Sequence, residues 1–221
     1  CIQPSSGQNM EKNIKDACSL IRDACDDGAQ LIALPENVAL MEHRTHKVIE
    51  SATRIEKHPA IIEFSRIAAE KNIWILAGSV AALSPNKKVV NSSALLGNMG
   101  NIVGTYNKIH MFDVNLPNGE NYKESDIFFA GQRSVVLDTP WGGIGMSICY
   151  DLRFPQLYRA LAHRGSNIIC VPSAFTKVTG HEVWHVLNRA RAIETSSFVI
   201  SPCMWGTHSG GRETYGHSMI V

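Results

Sequence analysis

One cysteine in this chain stands where thiol chemistry is possible. The stretch from Gly142 to Tyr158, GGIGMSICYDLRFPQLY, sets Cys149 between a short apolar run and the start of a helix. Gly143 to Ile148 reads as a buried strand, Asp151 to Pro155 interrupts it, and Pro155 suits the first turn of the helix that follows. A thiol at such a junction faces unpaired backbone N–H groups and the positive end of a helix dipole. Both lower its pKa towards the nucleophilic thiolate. Read without chemistry, the same residue is a small buried core cysteine, and this stretch alone leaves both readings open.

A second pattern points elsewhere. His181 to His185 reads HEVWH, matching the form in which two histidines one helical turn apart bind zinc and the glutamate acts as base. The longer metzincin form needs a glycine and a histidine where the chain has Asn188 and Arg191, and no third ligand is signalled. A helix beginning near His181 also gives Glu182 the ordinary role of a first-turn acid. An amphipathic helix is therefore the simpler reading and a zinc hydrolase the remote alternative. No metal and no cofactor are expected.

The elements that must position these residues alternate. Asn9 to Asp27 reads as a helix with Ile14, Ala17, Cys18, Ile21 and Cys25 turned to the core, and Gly28 stops it. Leu31 to Leu34 is a fully apolar strand that Pro35 ends, which leaves Glu36 at a strand's end. A helix from about His58 to Lys71 precedes a strand from Ile73 to Val80. VNSSALLG and NIVGTYNKIH then form a hairpin, which mixes antiparallel strands into the sheet. Its second arm carries Tyr106, Lys108 and His110 in alternation, on one face unless a bulge intervenes, and a lysine in such a row is ordinarily solvated. Met111 to Arg133, with Glu120 and Glu124, is too long for an idle connection and reads as a functional loop over a site. Beyond Cys149 come a helix from Pro155 to His163, a strand from Ile168, a helix from about Glu182 to Thr195, and the strand SFVISPCMW. The pattern implies a layered α/β fold with chemistry at strand ends, where Glu36, Cys149 and the Ser173 to Thr176 segment lie.

Composition narrows the partners. The 221 residues carry a net charge of +1 and no run of like charges, so nothing attracts nucleic acid or an anionic membrane. A small-molecule substrate is expected. The N-terminal CIQPSSGQNM lacks the basic and apolar regions of a signal peptide, and the six cysteines are scattered without CxxC pairs. These features predict reduced thiols in a cytoplasmic protein.

Taken together, LIALPEN, YNKIHMFD, YKES and GIGMSICYDLRFPQLYRAL, continuing through VPSAF and LNRARAIE to GHSMIV, resemble the carbon–nitrogen hydrolase family of the nitrilase superfamily. The resemblance implies that Cys149 is the nucleophile, Glu36 the general base and Lys108 the catalytic lysine, with Glu124 as a second glutamate that orients the ammonium. It implies an αββα sandwich of mixed sheets flanked by helices, becoming a four-layer αββα–αββα sandwich in a homodimer or higher homo-oligomer. Against it, residues 1–221 read as one domain that begins inside the family's first strand and stops before its last strand and helix.

The chemistry asks for these residue types. A carboxylate and a nearby cation make a thiol competent to attack an amide carbonyl, and the lysine together with the backbone N–H of Tyr150 would stabilise the oxyanion. Ser173 and Phe175 are expected beside the substrate, and Phe175 and Trp205, at or just beyond strand ends, either wall the acyl pocket or serve packing. Asp151 and Arg153 are expected to fix the turn and cap the helix, and Arg189, Arg191 and Glu194 to form salt bridges. Within the superfamily the pattern most resembles the ω-amidase and deaminated-glutathione amidase branch, whose members release ammonia from small carboxylic amides through a cysteine thioester. An N-carbamoyl amino acid amidohydrolase is the alternative.

Overall fold

An exposed helix needs its first donors satisfied and its apolar face covered, and the chain's first helix shows both. Asn9 accepts a hydrogen bond from the Lys12 N–H at 2.9 Å and opens α1 (Met10–Asp26), which buries Ile14, Ala17 and Ile21. Cys18 and Cys25 are only half-buried, at the edge of that face. The computed structural model describes residues 1–116 and 119–221.

After α1 come β1 (Leu31–Ala33), α2 (Thr45–Ser51), α3 (Pro59–Lys71), β2 (Trp74–Leu76), β3 (Val80–Leu83), β4 (Val89–Leu96) and β5 (Ile102–Asn107). A small hairpin follows, β6 (Asp113–Asn115) and β7 (Asn121–Lys123), within the long segment read as a functional loop, of which Pro117 and Asn118 lie outside the described residues. The second half runs β8 (Val135–Thr139), β9 (Gly142–Met146), α4 (Pro155–His163), β10 (Ser166–Cys170), α5 (Lys177–Thr195) and β11 (Phe198–Ser201). It closes with β12 (Trp205–Thr207), β13 (Glu213–Tyr215) and β14 (Met219–Ile220).

Two mixed sheets result. In the first, β1 lies parallel to β2 across the α3 crossover, and β4 pairs antiparallel with β2, β3 and β5. In the second, β9, β10 and β11 are parallel, linked by α4 and α5, while β8 and β14 add antiparallel edges. Phe64, Ile67 and Ile61 of α3, with Ile21 of α1, pack on Ile32, Ile75 and Ala94 of the first sheet. Between the sheets, Ala33, Leu76 and Leu95 face Ile144, Met146 and Cys170, and α4 and α5 cover the second sheet. The layers are therefore α, β, β, α, the arrangement that the family resemblance implied.

Two expected boundaries move. The run from Ile73 to Val80 is not one strand, because Gly78 takes φ +65° and turns the chain between β2 and β3. Only glycine fits there, since a Cβ would lie 2.0 Å from the Pro35 carbonyl oxygen. The last helix starts at Lys177 rather than near Glu182, with Thr176 as its cap. Gly180 disguised that first turn; it is required because a Cβ would meet the Tyr215 ring at 2.4 Å.

Gly78 thus holds the loop that carries Glu36. Gly78→Ala is expected to destabilise the protein by about 2–4 kcal/mol, through both the clash and the left-handed φ. A chemical denaturation midpoint unchanged from wild type would refute that account.

Candidate active site

Three strand ends and a turn converge on one buried point. Glu36 follows β1, held where Leu34 N–H donates to Leu76 O at 3.0 Å and Ser79 N–H to Pro35 O at 3.3 Å. Lys108 follows β5, its backbone N–H donating to Asn91 O at 2.9 Å and its carbonyl accepting from Gly131 N–H at 2.7 Å. Cys149 follows β9, its N–H donating to Pro172 O at 2.9 Å. Glu124 opens a single 3-10 turn after β7. The row of Tyr106, Lys108 and His110 ends as strand geometry at Asn107, and Lys108 is buried, not solvated.

The Lys108 ammonium lies between two carboxylates, 2.8 Å from Glu36 Oε1 and 2.8 Å from Glu124 Oε2. Asn91 Nδ2 donates to Glu36 Oε1 at 2.9 Å and to Glu124 Oε1 at 3.2 Å. The Ala174 N–H donates to Glu36 Oε2 at 2.9 Å, and the Phe112 N–H to Glu124 Oε2 at 2.6 Å. The Cys149 thiol feels the charges of both Glu36 and Lys108.

Burial alone would raise the Glu36 pKa, but the charge and hydrogen bond of Lys108 override it and hold the carboxyl below its ordinary range. Burial likewise opposes the charge on Lys108, and the charges of Glu124 and Glu36 reverse that and raise its pKa. For Cys149, burial and then the Glu36 charge push the thiol well above its ordinary value, against the weaker pull of Lys108. The depressed thiol pKa expected from the strand–helix junction is therefore corrected. The junction is a 3-10 turn, Cys149–Arg153, and α4 begins only at Pro155. The resting arrangement is a neutral thiol beside a carboxylate and an ammonium.

Cys149 itself has φ +50°, a left-handed conformation that costs a non-glycine residue about 1–2 kcal/mol. Asp151, fully buried, is the anchor that maintains it. Its Oδ2 accepts from Ile148 N–H at 2.8 Å and from Tyr106 Oη at 2.7 Å; its Oδ1 accepts from His110 N–H at 3.0 Å and lies 2.6 Å from His110 Nδ1. His110 stacks on Phe154 with ring centroids 3.6 Å apart. Arg191 of α5 donates from Nη2 to Leu152 O at 2.7 Å and pairs with Glu194 at 2.9 Å, whereas Arg189 is exposed and forms no ion pair among the described residues. Arg153 is exposed.

The cluster lies at the floor of a cavity of about 550 Å³ whose wall includes Tyr150, Phe175 and Arg212. Ser173 does not line it: the side chain is fully buried and its hydroxyl donates to Val171 O at 3.0 Å, because the parallel bridge to Cys203 turns it inward. Trp205 sits exposed on β12, away from the cavity. His181 and Glu182 of the HEVWH stretch are exposed and pair with each other at 3.1 Å. Among the described residues, no three potential ligands converge to hold a metal ion. Sequence reasoning missed Asn91, Ala174 N–H and Arg212. Only Asn91 carried a signal, as a lone amide in the apolar strand VVNSSALL.

A family model described as carbon–nitrogen hydrolase matches residues 1–221. The chain is 40% identical over 225 residues to the deaminated glutathione amidase of Synechocystis, covering 100% of this chain and 82% of that one. Among solved structures it is similar to the C. elegans NitFhit protein, with a TM-score of 0.88 and 32% identity over 99% of this chain and 54% of the worm chain. It also resembles Saccharomyces cerevisiae Nit3, described as a member of branch 10 of the nitrilase superfamily, with a TM-score of 0.87 and 27% identity over 99% of this chain and 79% of Nit3.

The proton inventory of the cluster is measurable. The pH profile of iodoacetamide alkylation at Cys149 is expected to inflect above the ordinary thiol value of about 8.5. In Glu36→Gln the inflection falls, because a negative neighbour that opposes the thiolate is gone. A wild-type inflection at or below the ordinary value would instead mean a resting thiolate beside a protonated Glu36.

Proposed function

Because the chain belongs to the carbon–nitrogen hydrolase family, we propose that it cleaves the C–N bond of a small linear amide through a thioester on Cys149 and releases ammonia. The observation that carries this reading is one thiol, one carboxylate and one ammonium lining a single cavity, the last two 2.8 Å apart. Glu36 takes the thiol proton as sulfur attacks the carbonyl carbon, so ionisation and attack are one event and no free thiolate is needed at rest. Negative charge develops on the carbonyl oxygen, next to the Lys108 ammonium and the Tyr150 backbone N–H. Glu36 returns the proton to the departing nitrogen, the C–N bond breaks, and ammonia leaves a thioester.

Water then adds to the thioester. Glu36 takes its proton, the C–S bond breaks, and the thiol is reprotonated as the carboxylic acid departs. Glu124 keeps Lys108 charged and aimed through its 2.8 Å contact, a positioning role. The raised Lys108 pKa supports this reading, since an ammonium that does not titrate near neutrality serves as a fixed electrostatic group.

Coarser features agree with this reading. The six cysteines are all unpaired, which supports a reducing, cytoplasmic setting. Among the described residues no helix is long and apolar enough to cross a membrane. Val186 and Ile193, seven residues apart on one face of α5, are exposed, and we assign this face to a second copy in a homodimer.

Ammonia release from short linear amides is expected to vanish in Cys149→Ala and to fall by about 10²–10³ in Lys108→Met. It should survive chelation, and mass spectrometry of Glu36→Gln with substrate should show little acylated Cys149. Activity that is lost to a chelator and kept in Cys149→Ala would overturn the thiol reading.

A further inference from the structure

Two carboxylates flank one ammonium, and their hydrogen bonds decide which of them is open to a proton. An ionised carboxylate offers about four lone-pair sites. On Glu124 each oxygen holds two donors: Oε1 has Lys108 Nζ at 3.0 Å and Asn91 Nδ2 at 3.2 Å, and Oε2 has Lys108 Nζ at 2.8 Å and the Phe112 N–H at 2.6 Å. On Glu36, Oε1 likewise holds two, Lys108 Nζ at 2.8 Å and Asn91 Nδ2 at 2.9 Å. Its Oε2 holds one among the described residues, the Ala174 N–H at 2.9 Å. The open site of the pair is therefore on Glu36 Oε2.

One neutral residue closes the rest. Asn91 is fully buried in β4, a strand buried along its whole length, and it touches all three charged groups. Its backbone carbonyl accepts from the Lys108 N–H at 2.9 Å, and its Nδ2 donates to both glutamates. The amide is oriented by those neighbours, since turned over it would set an oxygen against two carboxylate oxygens. That orientation carries a cost. Asn91 Oδ1 is one of three buried side-chain polar atoms without a partner among the described residues, with Ser93 Oγ and Arg212 Nε. Arg212 is engaged elsewhere, its Nη2 donating to Ala174 O at 2.6 Å. The two donors of Asn91 go to the ion cluster, and its acceptor is left bare.

We infer that Asn91 is a positioning residue of the amide hydrolysis proposed above, on which this inference rests. By filling the second site on Oε1 of both glutamates, it directs the thiol proton to Oε2 of Glu36 and keeps Glu124 from competing for it. The proton passes from Cys149 Sγ to Glu36 Oε2 as sulfur attacks, and from there to the departing nitrogen. Asn91 neither gains nor loses a proton. Without its amide a site opens on each Oε1, and Glu36 binds a proton more tightly because a donor favouring its charged form is gone.

The test is the pH dependence of kcat/KM, whose acid limb reports proton uptake by the base of the free enzyme. Asn91→Leu, similar in volume and without donors, should move that limb up by about one pH unit. Its plateau should fall by about 10–10²-fold, through kcat more than KM. Asn91→Asp, isosteric but adding a third carboxylate, should move the limb further up and keeps the test open if Asn91→Leu does not fold. Lower activity with the acid limb unmoved in the folded variants would overturn the inference and leave Asn91 a packing residue. Iodoacetamide alkylation of Cys149 supplies a readout without an amide: sulfur displaces iodide and its proton goes to the same acceptor, so the low-pH fall in rate should shift upward too. That shift in a protein that releases ammonia from no amide would refute the hydrolysis while upholding the role of Asn91. Ammonia release by wild type, with neither low-pH limb displaced in the variants, would refute the role of Asn91 alone.

Discussion

The buried ammonium of Lys108 is the constraint around which this molecule is built. Removing an ammonium and two carboxylates from water costs several kcal/mol per ion, and their attraction offsets that only when each remaining lone pair finds a donor. The fold supplies those donors from distant places: the Asn91 amide in β4, the Ala174 N–H beyond β10 and the Phe112 N–H before β6. The cluster carries one more negative charge than positive, and Arg212, one residue away through Ala174, lowers the Glu36 pKa further. The electrostatics of the floor and of the wall are thus one system.

A second requirement is to keep a cysteine in a left-handed conformation. The turn after β9 is fixed from three directions, by Asp151 beneath it, by the His110 and Tyr106 side that also bears Lys108, and by Arg191 reaching from α5 to the Leu152 carbonyl. The zinc-like HEVWH stretch finds its explanation here. It is one amphipathic turn of a helix that must run long enough to carry Arg191 to the nucleophile turn: its histidines and glutamate are exposed, while Trp184 packs against Phe175 with ring centroids 5.0 Å apart.

Much of this frame was legible in the chain because it rests on local signals. Pro35 ending an apolar run puts Glu36 at a strand's end, the Asn98 to Gly100 turn announces the β4–β5 hairpin, and Asp151 to Pro155 breaks a strand and opens a helix. Where local signals conflict, reading fails. Gly78 divides a run that looks continuous, because the reason for the glycine is the Pro35 carbonyl on another strand, and Gly180 conceals a helix start because its reason is the Tyr215 ring. Ser173 sits at a strand end but faces inward, since which way it faces is decided by the bridge to Cys203.

The sequence by itself determined the residue types for thiol chemistry, the alternation of helices and strands that makes a layered α/β fold, and the positions of Glu36 and Cys149 at strand ends. Tertiary structure alone decided how those groups are charged. Lys108 meets Glu36 across 72 residues and Ala174 meets Glu36 across 138, so neither the burial that raises the thiol pKa nor the charges that hold the lysine protonated exist until both sheets close on each other. The unpartnered Nε of Arg212 has the same origin. A guanidinium on a loop is solvated in the chain, and it becomes an unsatisfied donor only where the fold places it against a cavity with its neighbouring acids already engaged.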